Sequence, residues 1–210
     1  HAFKNNMIKP QPPQTRTGKK IAVVGSGPAG LSCAAQLNRA GHNVVVFERD
    51  EQIGGILRYG IPDFKLEKSI IDRRKGIWQQ EGIEFKTGIF VGKTHSIESL
   101  VASYDAVCLC IGSRVPRNLE IEGRYLRGIH YAMDYLTQAN QRLHGTIIPE
   151  EECIDARGKN VIVIGGGDTG SDCLGTAHRQ GALSVTQIEL MPKPPQCRDE
   201  AYPWPYYPLI

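Results

Sequence analysis

The sequence predicts an α/β fold built from two parallel-sheet units in tandem, the second of them incomplete. Three observations predict it. Two apolar runs, Ile21-Ala-Val-Val24 and Val161-Ile-Val-Ile164, lead straight into the glycine turns Gly25-Ser-Gly-Pro-Ala-Gly30 and Gly165-Gly-Gly-Asp-Thr-Gly170. Each turn is followed by a helical stretch and then by another apolar run, at residues 44–47 and 185–188. The segments starting at Lys19 and Lys159 also parallel one another, as an internal repeat would. A single GxGxxG carries little weight, because glycine is common in loops. Two of them, each between a strand and a helix, are the pattern of a chain that holds two dinucleotides.

The elements follow in order. Residues 1–18 contain three prolines and no apolar period, and read as an extended linker. The segment opens on His1 rather than Met and stops at Ile210 within the second unit, so a piece of a longer polypeptide is expected. Residues 20–24 form a strand suited to burial on both faces, residues 28–40 a helix that Gly41 ends, and residues 44–47 the second strand. The stretch 49–64 is punctuated by Gly and Pro and reads as a loop. Leu66, Ile70, Ile71, Ile77 and Trp78 lie near one helical face, and Gly82 ends that helix.

Short strands are expected at residues 83–86 and 89–91, one or two helical turns at 96–102, and a buried strand at 106–111 ending in Gly112. Residues 113–128 carry no period. A helix is expected at 132–143, then an acidic connector at 145–158, then strand, glycine turn, a helix to Arg179 ended by Gly181, and a strand at 185–188. The domain limits are residues 1–18 for the linker, 19–157 for the first Rossmann-like domain and 158–210 for the partial second one.

Composition excludes several function classes. The hydrophobic fraction is 40%, the charged fraction 22% and the net charge +3, so neither nucleic acid nor an anionic membrane is indicated. No apolar run approaches the roughly 20 residues that span a bilayer, and the polar, Pro-rich start is no secretory signal. The cysteines, Cys33, Cys108, Cys110, Cys153, Cys173 and Cys197, include no Cys-x-x-Cys pair. They read as structural thiols of a reducing, cytoplasmic protein rather than as a dithiol centre or iron–sulfur ligand set. Cys108 and Cys110 alternate along one strand and point the same way. The six histidines show no metal spacing, and no Ser/His/Asp or Cys/His set argues for another chemistry.

In the first turn, Gly25 allows the sharp bend after the strand, Gly27 the close approach of backbone to pyrophosphate, and Gly30 the packing of helix on sheet. Pro28 sits where a missing N–H costs least, and the free amides and helix dipole face the phosphates. Glu48 ends the second strand 18 residues beyond Gly30, where an acid binds a ribose diol. Gly54 and Gly55 allow a second loop to approach the flavin side of the same ligand, and Gly112 leaves room at another strand end. Together these favour FAD. Lys65 and Lys68, near that loop, read as solvated.

In the second turn Gly165, Gly167 and Gly170 repeat the spacing. Asp168 and Thr169 enter the helix N-terminus, with Asp168 near ribose or nicotinamide rather than on a phosphate. Glu189 falls 19 residues after Gly170, at the ribose position. A carboxylate there accepts a 2′-hydroxyl and repels a 2′-phosphate, which leans toward NADH over NADPH, with Arg179 or Arg198 able to offset it.

Three stretches are more specific: Gly54-Gly-Ile-Leu-Arg-Tyr-Gly-Ile-Pro-Asp-Phe-Lys-Leu66, Gly165-Gly-Gly-Asp-Thr-Gly-Ser-Asp-Cys173, and Leu190-Met-Pro-Lys-Pro-Pro195 with Pro203-Trp-Pro205. With the entry Lys9-Pro-Gln-Pro-Pro13, they resemble the small (β) subunit of glutamate synthase over nearly the whole chain. The resemblance implies a flavoprotein that takes a hydride from NADH or NADPH onto FAD. Electrons would then pass through iron–sulfur clusters, held in a cysteine-rich N-terminal region this segment lacks, to a glutamate-forming large subunit.

Under that resemblance Gly25, Ser26, Gly27, Pro28, Ala29, Gly30, Glu48, Arg49, Gly54, Gly55, Leu57, Val91 and Gly112 bind FAD. Gly165, Gly166, Gly167, Asp168, Thr169 and Glu189 line the nicotinamide nucleotide, which two adjoining mononucleotide folds bring to the flavin. No residue is expected to be catalytic. The competing readings are a stand-alone NAD(P)H:ferredoxin or acceptor reductase of the same fold, and a nucleotide-binding assembly module without turnover.

Overall fold

A run of β-branched residues becomes a central strand when both of its faces find cover, and the first run does. In the computed structural model, which describes residues 2, 3, 5 and 7–192, it forms β1 (Lys20–Val24). Of the stretches used above, His1, residues 193–195, Cys197, Arg198 and residues 203–205 lie outside the described residues.

The first unit, His1–Leu126, adds α1 (Pro28–Arg39), β2 (Asn43–Phe47), α2 (Ile56–Tyr59), α3 (Lys68–Gln80), β3 (Glu84–Lys86), α4 (Ile97–Ser103) and β4 (Ala106–Leu109). Its sheet is parallel throughout, in the order β3-β2-β1-β4, with Val23 opposite Val46 and Cys108. The period of two sends Val23, Val44 and Val46 to one face, where they meet Ala34 of α1 and, around the rim, Cys33, Leu37, Cys108 and Cys110. Ala22, Val24 and Phe47 go to the other face and meet Leu100 of α4. Val23 and Val46 are fully buried, each worth about 1.5–3 kcal/mol.

Three helix ends fall where glycine was expected. Gly41, Gly82 and Gly181 all take positive φ, at 93°, 99° and 87°. In each case the next residue donates back to a carbonyl five positions earlier: His42 to Leu37, Ile83 to Trp78, Ala182 to Ala177. The start of α4 is set by Ser96, whose hydroxyl accepts from the Ser99 amide at 3.1 Å.

The remaining elements depart from the sequence reading in particular ways. Residues 49–64 contain the single helical turn α2, held by Gly55 at its start and by Arg58, which bonds the Ile53 carbonyl (2.7 Å) and Asp72 of α3. Residues 89–91 form no strand; Val91 makes one isolated bridge with His95. β4 is an edge strand, so Leu109 and Ile111 are exposed rather than buried. Lys68 is buried, not solvated: its ammonium donates to the Ile61 and Leu66 carbonyls and pairs with Asp63 at 3.4 Å. Those partners tie down residues 61–66 and satisfy a charge that burial would otherwise make costly.

The second unit, Arg127–Ile210, holds α5 (Ala132–Leu143), a 3₁₀ turn (Glu150–Glu152), β5 (Asn160–Ile164), α6 (Asp168–Gln180) and β6 (Ser184–Ile188). The unit begins 31 residues before the Gly158 boundary read from the sequence, because α5 packs on the β5–α6 layer. Leu136 of α5 joins Val163 and Cys173 in one core, and the Tyr135 hydroxyl donates to Gln180 of α6 at 2.9 Å. β5 and β6 pair in parallel, with Ile162 opposite Thr186 and Ile164 opposite Ile188. Val161, Val163 and Val185 face the helices, whereas Ile162, Ile164 and Ile188 on the other face are 65%, 69% and 51% exposed. A parallel sheet is normally covered on both faces. This 210-residue chain is therefore expected to self-associate; a monodisperse monomer in light scattering overturns that expectation.

The entry segment is fastened by Arg16. Its guanidinium donates to Asn38 Oδ1 (2.7 Å), the His42 carbonyl (2.7 Å) and the Glu81 carbonyl (2.9 Å), joining the ends of α1 and α3. Asn38, fully buried, donates to the same Glu81 carbonyl at 3.2 Å. Arg16→Ala is expected to lower unfolding free energy by about 2 kcal/mol in urea titration. A loss below about 0.5 kcal/mol would show that the clamp is not holding the helices.

Candidate dinucleotide sites

The first site is built by backbone packed against backbone. Gly25 has φ 101°, and a Cβ there would strike the carbonyl of Cys110, whose carbon lies 2.9 Å away. A Cβ on Gly30 would strike the Gly25 carbonyl. Gly55, with φ 49°, faces the backbone of Gly27, with 2.9 Å between the position of its absent Cβ and the Gly27 Cα. Gly27 behaves differently. Its own Cβ would meet no heavy atom within 4 Å, so the space in front of the α1 N-terminus is open. No side chain caps α1; Pro28 is its first residue and, with Ala29, is exposed. Open space, uncapped first-turn amides and the helix dipole together make an anion cradle. A dinucleotide pyrophosphate fits it.

Glu48 stands beside this cradle and is only 4% exposed. Its Oε2 accepts from the Ser26 amide (3.0 Å) and the Ser26 hydroxyl, and its Oε1 from the Asp50 amide (2.9 Å). Gly54, with φ 124°, donates to the Ser26 carbonyl at 3.1 Å, so both glycine stretches and the acid form one cluster. Arg49 is exposed, stacks over Phe90 at 5.5 Å and pairs with Asp50 at 3.4 Å. Burial and the neighbouring Glu48 push the Asp50 carboxyl above its usual range.

Three expected residues sit differently. Leu57 packs into the core of Leu31, Ile53 and Ile71. Val91 packs on the other face, beside Phe47 and Leu100. Gly112 is exposed, with φ 66° and open space around it.

The second site repeats the turn with fewer neighbours. A Cβ on Gly170 would strike the Gly165 carbonyl, as Gly30 would strike Gly25. Gly165 has φ 118° but nothing within 4 Å, since among the described residues no strand lies on the far side of β5 as β4 lies beside β1. Gly167, the uncapped start of α6, is open as Gly27 is. Asp168 is an exposed acid in the first turn, where the dipole favours it, and Thr169 is exposed beside it.

The Glu189 carboxylate leans over Gly166 and accepts from the amides of Leu190 (2.6 Å) and Met191 (3.2 Å). Hydrogen bonds from the backbone of Met191, Leu190 and Gly166 hold that carboxyl below the usual range. Gln187, missed from the sequence, donates to the Gly165 carbonyl at 2.8 Å and braces the turn. A surface cavity of 390 Å³ in this unit is lined by Arg142, Asp155 and Lys159 among others, and by no residue of the glycine turn.

Cys33 of α1 faces Cys108 and Cys110, and burial pushes its thiol up to about 11, with those two neighbours adding to the effect. Burial does the same to Cys173, also to about 11. Neither is poised as a nucleophile. Among the described residues no group of three His, Cys, Asp or Glu side chains could hold a metal ion, and no helix is long and apolar enough to cross a membrane.

Paired glycine turns on parallel sheets are the mark of nucleotide-dependent oxidoreductases, and comparison with known proteins agrees. Residues 19–202 match the family described as pyridine nucleotide-disulphide oxidoreductase, and the chain belongs to that family. Within it, the chain is 53% identical over its whole length to the glutamate synthase [NADPH] small chain of Mycobacterium tuberculosis, and 52% identical over 99% of its length to that of Bacillus subtilis. It is also 50% identical over its whole length to the glutamate synthase [NADH] of Schizosaccharomyces pombe. The chain spans 43% and 42% of the two bacterial relatives and 10% of the yeast one. Among solved structures, that of Mycobacterium tuberculosis FprA in complex with NADPH superposes with a TM-score of 0.65 at 26% identity, covering 81% of this chain and 43% of FprA.

Gly25→Ala and Gly27→Ala are expected to separate fold from ligand space. The first should cost about 3 kcal/mol or more in chemical denaturation, from positive φ and collision with β4. The second should stay within about 1 kcal/mol of the parent. Equal losses would contradict the division of roles.

Proposed function

We propose that the protein carrying this chain is the electron-input flavoprotein of glutamate synthase, with FAD in the first unit and NAD(P)H in the second, which begins at Arg127. The observation that carries the reading is the identity of 53% along the whole chain to a glutamate synthase small chain, with both glycine turns intact and open at Gly27 and Gly167. FAD, when bound, supplies the two-electron chemistry that accepts hydride from the nicotinamide.

The chain's own residues bind and orient. The α1 amides behind Gly27 take the pyrophosphate, and Glu48 takes the adenosine ribose. Ser26, Pro28, Ala29, Gly30, Arg49, Gly54, Gly55, Leu57, Val91 and Gly112 complete the flavin side, with Leu57 and Val91 acting from the core. The α6 amides behind Gly167, with Gly165, Gly166, Asp168 and Thr169, receive the nicotinamide nucleotide. No side chain is required as acid or base. In this reading iron–sulfur clusters would supply the one-electron relay toward a glutamate-forming large subunit, and none of the residues named here would hold them. The five free thiols among the described residues suit a reducing cytoplasm.

We assign NADH as the preferred donor. The relatives' names divide between NADPH and NADH, so the support is Glu189, whose charged carboxylate repels a 2′-phosphate. A stand-alone reductase of the same fold is the second reading; co-purification of a glutaminase-bearing chain excludes it.

Stopped-flow reduction of the full-length flavoprotein is the test. NADH should bleach the flavin at least about tenfold more efficiently than NADPH, and Glu189→Gln should narrow the ratio several-fold. Absence of flavin after gentle purification overturns the function, faster bleaching by NADPH overturns the donor preference, and flavin that neither donor bleaches points to an assembly module.

A further inference from the structure

Ser26 lies in the first glycine turn with no exposed surface at all. Its hydroxyl donates to Glu48 Oε2, and it accepts from the Gly54 amide at 3.1 Å. The direction of the hydroxyl proton follows from that pair. The Gly54 N–H can only donate and a carboxylate can only accept, so the proton points at Glu48. Glu48 thus has Oε2 held twice from residue 26 and Oε1 held once from the Asp50 amide. Three of about four acceptor positions are filled, leaving one direction open.

We infer that Ser26 is a positioning residue. Its side chain does not touch ligand; it locks the Glu48 carboxylate in the one orientation that receives an adenosine ribose hydroxyl. The same hydroxyl ties that acid to the Gly54–Gly55 loop. This rests on the reading that the first unit binds FAD through Glu48. Removing the hydroxyl leaves the surrounding backbone intact. Gly54 keeps its bond to the Ser26 carbonyl (3.1 Å), and Glu48 keeps the bond from the residue 26 amide (3.0 Å). What is lost is the angular restraint on the carboxylate.

The experiment is reconstitution of the full-length apoprotein with FAD, and with FAD lacking the adenosine ribose hydroxyls. Ser26→Ala should weaken FAD binding by about tenfold. It should change binding of the hydroxyl-free analogue by less than about twofold, and have a similarly small effect in a Glu48→Gln background. Ser26→Cys, which fills the same space with a weak donor, should behave like Ser26→Ala and serves if the alanine variant folds poorly.

A loss of equal size for FAD and the analogue assigns Ser26 a purely structural role and overturns the inference. If the parent protein binds both flavins equally, Glu48 does not hold the ribose and the inference falls while the flavin function stands. If the parent binds neither, the proposed function falls too.

Discussion

Close approach of backbone to backbone at the β1–α1 turn is the constraint on which the first unit depends. The Cys110 carbonyl occupies the space beside Gly25, the Gly25 carbonyl the space beside Gly30, and Gly27 the space beside Gly55. Three chain segments distant in sequence therefore meet with no side chain between them. That contact brings β4, α1 and the 54–55 loop to one point, and it leaves the α1 N-terminus as the one side that is open. The arrangement explains why Gly27 can be open while its neighbours are crowded. Strand pairing then sets Glu48 at the adjacent strand end, since β1 and β2 run in register from Lys20 opposite Asn43 to Val24 opposite Phe47.

The second unit uses the same turn with less around it. Gly170 presses on the Gly165 carbonyl, but Gly165 itself has open space where β4 crowds Gly25. Gln187 and Glu189 supply polar bracing there instead. The same lack of neighbours leaves Ile162, Ile164 and Ile188 bare. Turn geometry and sheet coverage are thus separable: among the described residues, β5 and β6 with α5 and α6 on one face shape the glycine turn without covering the sheet's other face.

Polar groups add order where apolar packing cannot. Lys68 pins residues 61–66 through two carbonyls and Asp63, Arg16 pins the helix ends, and Ser26 pins Glu48. Lys68 and Ser26 are buried and hydrogen-bonded, which is what makes their burial tolerable, whereas Arg16 makes its bonds from the surface. These groups lie in or beside the loops flanking the first turn, where long irregular chain would otherwise be free to move.

The sequence by itself determined the α/β class, the places of both glycine turns, and the glycines that end α1, α3 and α6. Those features depend on local periodicity and on φ values that only glycine takes easily, so a window of ten residues contains the information. It also marked Glu48 and Glu189 by their distance from the turns. The tertiary structure decided the rest: β4 at an edge, α5 joined to the second unit, Lys68 buried, Leu57 in the core, and the Ser26 hydroxyl turned toward Glu48. Most of those depend on partners brought near by chain reversal, such as Glu48, 22 residues from Ser26, and Gln180, 45 residues from Tyr135; the partners of Lys68 lie within seven residues, but its burial needs the packing around them. Burial and hydrogen-bond direction are properties of such pairs, and no single stretch of the chain carries them.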